Sequence, residues 1–286
     1  MSLGRIAHYL LLERIGVGAE SNIYRARDER NGQIVAIKDV IARESENYKY
    51  LGHITNEFRV LRILQQAAGE SGDNHGIVRV FGLLRSGFLR REKRRSLIME
   101  FVPGKDLRRE RRYPLLQLLD LFRQVAVTVE FMHSVGYVHA DLKPENIMVG
   151  PQGRATLVDF GFSCRAGTGA ETVRGTRDYM APEQVHRGLI TERTDIYNLG
   201  ATMYYLLTGK HVPAQIAPAN GGEYFIRSNG IRPVPVRELN PAVPEGVARL
   251  IERCCELAPL KRPAAMTEVR EVLTAACRDL PAEGAY

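Results

Sequence analysis

The side chains most suited to catalysis in this chain lie in two short runs. The runs are His-Ala-Asp-Leu-Lys-Pro-Glu-Asn at residues 139–146 and Asp-Phe-Gly at residues 159–161. Asp141 can orient an attacking hydroxyl and accept its proton, and Lys143 can neutralise charge on a transferring phosphoryl group. Asn146 and Asp159 carry the oxygen atoms that Mg²⁺, a hard cation, prefers as ligands. The spacing of these residues predicts phosphoryl transfer rather than an ordinary surface loop.

Two upstream motifs could hold the phosphates for that reaction. Gly16 and Gly18 lie in the run Ile15–Ile23, where glycine lets the backbone approach a phosphate closely. Lys38 follows the apolar run Val-Ala-Ile, and a lysine at the end of such a strand is uncommon unless it is paired. A Gly-x-Gly pair alone is weak evidence, but the strand and lysine behind it strengthen the prediction of a phosphate-binding loop.

The elements that must position these residues change in type along the chain. Predicted strands occupy residues 9–40, 77–84 and 96–102, and predicted helices occupy residues 53–66, 115–135, 193–208 and 245–257. Asn31-Gly32 is a hairpin signal, and Pro103-Gly104 breaks the strand pattern. Residues 209–244 contain six prolines and four glycines, which predicts an extended surface connection. Strands followed by helices indicate an α+β fold rather than alternating α/β.

The motifs and their order resemble the protein kinase family. The matching runs are the glycine-rich residues 15–23, Val-Ala-Ile-Lys at 35–38, the two catalytic runs, Gly-Thr-Arg-Asp-Tyr-Met-Ala-Pro-Glu at 175–183, Asp-Ile-Tyr-Asn-Leu-Gly at 195–200 and Lys-Arg-Pro at 261–263. The resemblance covers roughly residues 9–276. The sequences at 238–241 and 259–263 are most similar to the eukaryotic-like serine/threonine kinases of bacteria.

The resemblance implies a bilobal kinase fold and a catalytic role for several residues. Residues 1–102 would form the N-lobe, with the glycine-rich loop and a helix carrying Glu57, and residues 103–286 would form the C-lobe. Lys38 would bind the α- and β-phosphates of ATP and pair with Glu57, since Glu44 and Glu46 precede the periodic helical segment. The implied catalytic residues are Asp141, Lys143, Lys38 and Glu57, and the implied metal ligands are Asn146 and Asp159. The metal would be Mg²⁺, with Mn²⁺ as an alternative.

The resemblance also implies a nucleotide site. The residues expected around ATP are Ile15, Gly16, Gly18, Ser21, Ile23, Ala36, Lys38, Met99, Glu100, Val102, Asp106 and Met148. Glu100 and Val102, in the hinge, would bind adenine through their backbone, while Met99 would be the gatekeeper. Asp106 would reach the ribose. Ser21 stands where the family usually has a third glycine.

Further residues would order the catalytic parts. The residues expected in the activation segment and in structural roles are Phe160, Gly161, Thr176, Glu183, Asp195 and Arg262. The Thr176 hydroxyl could bond Asp141 and Lys143. Glu183 and Arg262 resemble a buried ion pair of the family. Asp195 resembles the helix carboxylate that holds the backbone of the catalytic loop.

Ala140 departs from the family, which commonly has arginine at this position. Alanine cannot make the charge-assisted contact by which that arginine reads a phosphorylated activation segment. A phosphate at Thr168 or Thr172 would lose that partner, and Arg165 and Arg174 are the nearby substitutes. We therefore expect activity without a phosphate in the activation segment.

The implied function is that of a serine/threonine protein kinase, which transfers the γ-phosphoryl group of MgATP to Ser or Thr hydroxyls of protein substrates. The positions of Lys143 and Thr176 match the serine/threonine pattern. Two alternatives stay open, a pseudokinase acting as a binding or scaffold module and a small-molecule kinase of aminoglycoside type. Competent residues at every catalytic position argue against the first. The Gly-Thr…Ala-Pro-Glu run at residues 175–183 argues against the second.

Composition limits the other classes of protein. The chain has 286 residues, of which 44% are hydrophobic and 26% charged, as in ordinary soluble globular proteins. No apolar run reaches the length of a membrane span, so a cytoplasmic protein is expected. The four cysteines lack Cys-x-x-Cys spacing, which argues against zinc and disulfides. Adjacent Cys254 and Cys255 are predicted to pack in a helix.

The positive charge is concentrated in two segments. Residues 85–95 hold six Arg or Lys and one Glu, and residues 105–112 hold five Arg or Lys, one Asp and one Glu. Together they exceed the net charge of +7 for the whole chain. Neither interleaves aromatic residues as single-strand nucleic-acid platforms do, so nucleic-acid binding is disfavoured. We expect a solvated loop and helix face, with an acidic partner or substrate as the alternative.

Overall fold

The fold consists of two compact units in a computed structural model. The described residues are 3–18, 21–42, 48–69, 75–88, 91–109, 113–169, 175–186, 188–213, 216–218, 224–226 and 233–280. The first unit comprises residues 1–103 with 159–161, and the second comprises residues 104–158 with 162–286. The first is rich in strands and the second is mostly helical. The predicted α+β class is therefore confirmed.

The first unit is built on an antiparallel sheet and one long helix. Its strands are β1 (Arg5–Ile6), β2 (Tyr9–Val17), β3 (Ser21–Asp28), β4 (Ile34–Ile41), β5 (Val80–Phe88) and β6 (Arg91–Glu100), in the order β1-β2-β3-β4-β6-β5, and its helix is α1 (Tyr48–Ala68). Alternation along β4 buries Val35 and Ile37 in an apolar cluster on one face of the sheet. Ala36 and Lys38 lie on the other face, where α1 brings Glu57 to Lys38.

The basic segment at residues 85–95 is not a solvated loop, so that prediction was wrong. Its described residues lie on β5 and β6, with Arg85 directly opposite Arg95. Arg94 binds the buried carboxylate of Asp39 on β4 at 2.8 and 3.0 Å. Arg95 donates to the Leu51 carbonyl and the Thr55 hydroxyl of α1. The strands run further than the periodicity predicted because these arginines are anchored by neighbouring elements.

The second unit consists of helices and short strand pairs, and it contains the run at residues 139–146. In chain order its elements are β7 (Lys105–Asp106), α2 (Leu115–Ser134), β8 (Tyr137–Val138), β9 (Ile147–Val149), β10 (Ala155–Leu157), β11 (Cys164–Arg165), β12 (Thr168–Gly169), α3 (Pro182–Val185), β13 (Leu189–Ile190), α4 (Glu192–Thr208), β14 (Ile216–Pro218), β15 (Tyr224–Ile226), α5 (Val236–Leu239), α6 (Glu245–Cys254) and α7 (Met266–Asp279). The strands form the sheets β10-β9-β7, β11-β8, β12-β13 and β14-β15.

The second unit also corrects two local predictions. Residues 105–109 form β7 and a turn rather than a helix face, and residues 110–112 lie outside the described part of the chain. Residues 209–244 were expected to be an extended connection, but their described parts include the pair β14–β15 and helix α5. Among the described residues, no helix has the length and apolar character needed to cross a bilayer.

Close packing of α4 on α6 accounts for the adjacent cysteines. A Cβ atom on Gly200 would lie 2.5 Å from Cys254 Cβ and 3.2 Å from Cys255 Sγ. Both cysteines are buried, as predicted, and burial raises the pKa of the Cys255 thiol to about 12. The two cysteines therefore have a packing role, and they do not form a reactive site.

Candidate active site

Lys38 connects two carboxylates within the first unit. Its Nζ lies 2.8 Å from Glu57 Oε2 on α1 and 2.8 Å from Asp159 Oδ1. Glu57 is only 1% exposed, and its other oxygen accepts the backbone N–H of Phe160 at 3.2 Å. The expected pair of Lys38 with Glu57 is present. Asp159 also contacts Lys38, and residues 159–161 are grouped with the first unit.

The charges of this cluster favour an ionised lysine. Burial lowers the pKa of Lys38, but the adjacent Asp159 and Glu57 carboxylates raise it by more, to well above its ordinary value. Burial raises the pKa of Glu57, with Lys38 opposing and Asp159 adding to that shift. The Asp159 side chain is 42% exposed, so a cation from solution can reach it. The cluster has two carboxylates and one lysine, so one carboxylate is not balanced by the lysine charge. Such an oxygen donor suits Mg²⁺, a hard cation.

Asp141 is the centre of a hydrogen-bond network in the second unit. Its Oδ1 accepts the backbone N–H of Thr176 at 2.9 Å and the Thr176 hydroxyl at 3.0 Å. Its Oδ2 lies 2.9 Å from Lys143 Nζ and accepts Asn146 Nδ2 at 3.2 Å. Lys143 Nζ also donates to Thr176 Oγ1 at 2.6 Å. The structure thus brings together four residues that lie up to 35 positions apart.

Asn146 is oriented by the catalytic loop itself. Its Nδ2 also donates to the backbone carbonyl of Asp141 at 2.9 Å. Because both contacts use the amide nitrogen, the amide oxygen lies on the opposite branch of the side chain. That oxygen is the atom with which an asparagine can bind a hard cation.

Asp195 holds the backbone just before Asp141. This buried carboxylate on α4 accepts the N–H groups of His139 at 2.9 Å and Ala140 at 2.8 Å, and it lies 2.9 Å from His133 Nε2. Ala140 has a φ of 62°, a left-handed conformation that is costly for a residue with a side chain. The contacts of Asp195 therefore stabilise a turn that alanine does not adopt readily.

Gln184 is a site residue that the sequence did not reveal. Its Nε2 donates to the Ala140 carbonyl at 2.7 Å. Ala140, the left-handed residue, is therefore held at its N–H by Asp195 and at its carbonyl by Gln184. Its Oε1 accepts the N–H of Ala181 at 2.8 Å and Nδ2 of Asn198 at 2.9 Å. A buried amide on a short helix carries no periodic signal, and only the position of Gln184 directly after the Ala-Pro-Glu run could have suggested it.

Ala140 lies in a small apolar cluster. It packs with Val138 and Ile190, against Cys164 and Ala166. The two strand pairs β8–β11 and β12–β13 hold the same part of the chain through backbone hydrogen bonds. Packing and strand pairing therefore order the chain around Ala140.

The expected substitutes for that arginine have other contacts or lie outside the described residues. The Arg165 guanidinium lies over the Tyr137 ring, 5.5 Å from its centre. The Thr168 hydroxyl donates to the Arg165 carbonyl at 2.6 Å. Thr172 and Arg174 fall outside the described residues.

The residues expected to bind nucleotide lie on several elements. In the first unit, β2 carries Ile15 and Gly16 with Gly18 after it, β3 carries Ser21 and Ile23, β4 carries Ala36, and β6 carries Met99 and Glu100 with Val102 after it. Ala36 and Met99 are direct partners in the β4–β6 register. Ser21 Oγ occupies space beside Gly18, where an added Cβ would lie 2.5 Å from it. A side chain at residue 18 would therefore require the Ser21 hydroxyl to move.

Asp106 and Met148 are direct partners in the β7–β9 register of the second unit. The Asp106 carboxylate accepts the backbone N–H groups of Arg108 at 3.1 Å and Arg109 at 3.0 Å. This turn-stabilising role was not predicted. Arg108 also forms an ion pair with Glu145 in the catalytic loop.

Glu183 and Arg262 form a buried ion pair. Arg262 Nη1 and Nη2 donate to the two Glu183 oxygens at 2.7 and 2.9 Å, and the arginine side chain is 0% exposed. We expect Arg262→Ala to lower the free energy of unfolding by about 3–5 kcal/mol, because it leaves a carboxylate buried without its partner. The matched control is Arg253→Ala, which breaks an exposed pair with Glu268 and should cost at most about 1 kcal/mol. Denaturant unfolding of both variants measures the difference; equal losses would contradict the prediction.

Comparison with known proteins places these networks in a family. The sequence profile of the protein kinase domain matches residues 9–273. The chain is 28% identical over 274 residues to a probable serine/threonine-protein kinase of Clostridium acetobutylicum, covering 93% of this chain and 39% of that protein. It is 28% identical over 264 residues to the serine/threonine-protein kinase PknA of Mycobacterium tuberculosis, covering 90% and 57% respectively.

A third relative is the serine/threonine-protein kinase PknL of Mycobacterium bovis, 32% identical over 215 residues, which are 72% of this chain and 50% of that protein. The chain thus spans between 39% and 57% of the length of these curated relatives. The profile match includes both the Lys38 and the Asp141 networks. The chain belongs to the protein kinase family, and it is similar to the eukaryotic-like serine/threonine kinases of bacteria.

Proposed function

We propose that this chain transfers the γ-phosphoryl group of MgATP to serine or threonine hydroxyls of protein substrates. The observation that carries the proposal is the Asp141–Lys143–Thr176 network. Four donor groups hold the Asp141 carboxylate: the Thr176 N–H and hydroxyl, Lys143 Nζ and Asn146 Nδ2. The Thr176 contacts connect Asp141 to the segment that precedes Glu183. A small-molecule kinase would not need that segment, and a pseudokinase would not need every competent group.

The proposed roles follow from the chemistry of each group. Asp141 orients the substrate hydroxyl and accepts its proton, and Lys143 stabilises charge on the phosphoryl group. Lys38, fixed by Glu57, positions the phosphates of the nucleotide. Mg²⁺, when bound, neutralises charge on the phosphates, and we assign Asn146 and Asp159 as its protein ligands. The remaining nucleotide-site residues keep the roles that the family resemblance implies.

The test is incorporation of label from γ-labelled MgATP into a generic basic protein. Acid hydrolysis of the product should release phosphoserine or phosphothreonine. Predominant phosphotyrosine would overturn the substrate class, and no incorporation above that of an Asp141→Asn variant would overturn the activity.

Removal of phosphate from the activation segment should change the initial rate by less than about threefold. The apolar cluster around Ala140 and the strand pairs β8–β11 and β12–β13 already hold this segment. The rate on a short peptide is measured before and after phosphatase treatment, with loss of phosphate checked by mass. A fall of about 100-fold, equivalent to about 2.7 kcal/mol of barrier, would show that phosphorylation controls the enzyme through another contact.

The β5–β6 hairpin is a candidate surface for an acidic partner. Arg85 and Lys93 are exposed there, whereas Arg94 and Arg95 anchor β6 to Asp39 and α1. Arg85→Gln with Lys93→Gln should therefore weaken capture of an acidic partner and reduce its salt dependence, while activity on a short peptide stays unchanged. Binding to an acidic polypeptide at two salt concentrations measures this. If the variant and the unaltered protein captured the acidic polypeptide equally, the hairpin would not be the surface that binds it.

A further inference from the structure

Asn56 precedes Glu57 on α1 and contacts the Asp-Phe-Gly run directly. Its Nδ2 donates to the backbone carbonyl of Gly161 at 3.2 Å. Its Oδ1 accepts Nη2 of Arg59, one turn further along the helix, at 3.0 Å. A guanidinium can only donate, so the amide oxygen must face Arg59 and the amide nitrogen must face Gly161. Arg59 therefore fixes the orientation in which Asn56 can act as a donor.

Two successive residues of α1 thus hold the peptide groups that follow Asp159. Glu57 accepts the Phe160 N–H at 3.2 Å, and Asn56 binds the Gly161 carbonyl. Gly161 lies beside the helix, since an added Cβ would be in ordinary van der Waals contact with His53 Cβ, at 3.6 Å. The helix therefore binds this short run through two hydrogen bonds, one on each side of the Phe160–Gly161 peptide.

Asp159 needs such support because its backbone is left-handed. Its φ is 63°, which a residue with a side chain adopts at a cost and keeps only when its surroundings hold it there. Lys38 holds the carboxylate, but a side-chain ion pair alone does not fix the backbone that follows. The contacts of Asn56 and Glu57 supply that restraint.

We infer that Asn56, oriented by Arg59, is a positioning residue that keeps the Asp159 carboxylate in place for the metal. The inference rests on the proposed function of Asp159 as a metal ligand. It assigns to α1 a second contact with the catalytic run, besides the Lys38–Glu57 pair. Loss of the Asn56 donor should loosen the backbone at residues 159–161 and weaken the response to Mg²⁺.

The test compares Asn56→Leu, which removes both hydrogen bonds at similar volume, with Arg59→Gln, which replaces the orienting guanidinium by a shorter, uncharged amide. Hydrogen exchange of a peptide spanning residues 157–162 in the nucleotide-free protein should rise about tenfold for Asn56→Leu and less for Arg59→Gln. The Mg²⁺ concentration for half-maximal rate should rise about tenfold for Asn56→Leu, and Asn56→Gln should restore part of it. Arg62→Gln, another exposed arginine of α1, is the matched control and should change neither quantity.

Unchanged exchange and an unchanged Mg²⁺ response in Asn56→Leu would overturn the inference. Faster exchange with an unchanged Mg²⁺ response would also overturn it, because Asn56 would then order the backbone without positioning Asp159. If the parent protein incorporates no label at all, the proposed function fails, whereas the exchange comparison still decides whether Asn56 holds this run. Arg59→Gln keeps the comparison valid if Asn56→Leu does not fold, since Arg59 is exposed.

Discussion

Asp141→Asn is expected to lower the rate of phosphoryl transfer by about 10²–10⁴-fold, the range that general-base groups contribute, while nucleotide affinity stays nearly unchanged. Asp141 acts on the substrate hydroxyl and not on ATP, so its loss should appear in turnover. The structure adds a second reason for a large effect. Both Asp141 oxygens accept hydrogen bonds from Thr176, Lys143 or Asn146. An asparagine must turn an NH₂ group toward one of these donors, which disrupts the network.

Label incorporation and ATP binding are measured on the same preparation. The matched control is Asp178→Asn, an exposed carboxylate two residues after Thr176 whose removal should leave turnover intact. Retention of most of the activity by Asp141→Asn would show that another group accepts the proton. A parallel loss of nucleotide affinity would instead show that the variant disturbs more than the hydroxyl site.

Lys38→Met is expected to reduce turnover at least about 100-fold and to destabilise the first unit. The phosphates lose the cation that positions them. Glu57 also remains buried beside Asp159 without the lysine that compensates both. Removing one member of a buried ion pair costs about 3–5 kcal/mol, because the remaining charge is desolvated without a partner.

The double variant Lys38→Met with Glu57→Gln separates the two effects. It removes the uncompensated carboxylate, so part of the stability should return while turnover stays low. Thermal unfolding and label incorporation measure these quantities, and Lys49→Met on the exposed surface of α1 is the control. If the double variant also regained turnover, Lys38 would be needed only for stability and its assignment to the phosphates would be wrong.

The family and the α+β class could be predicted from the sequence alone, and the sequence also led to the proposal of which groups react. This was possible because the catalytic runs are local: Asp141, Lys143 and Asn146 lie within one loop, and their chemistry can be read from residue type and spacing. Hydrophobic periodicity also located α2, α4 and α6 to within a few residues, and α1 except at its start, but it did not predict the 14-residue helix α7. The same periodicity missed residues 85–88 of β5 and 91–95 of β6, since nearly all of these residues are polar, charged or glycine.

Which distant groups support the site depends on tertiary packing. Lys38 meets Asp159 across 121 positions, so residues 159–161 join the first unit although they lie within the sequence of the second. Gln184 and the cluster around Ala140 hold the loop at residues 139–146, and Arg94 and Arg95, both only partly exposed, anchor β6. A local pattern reports which face of its own element a residue occupies. It does not report which other element will pack there, and these contacts depend on that packing.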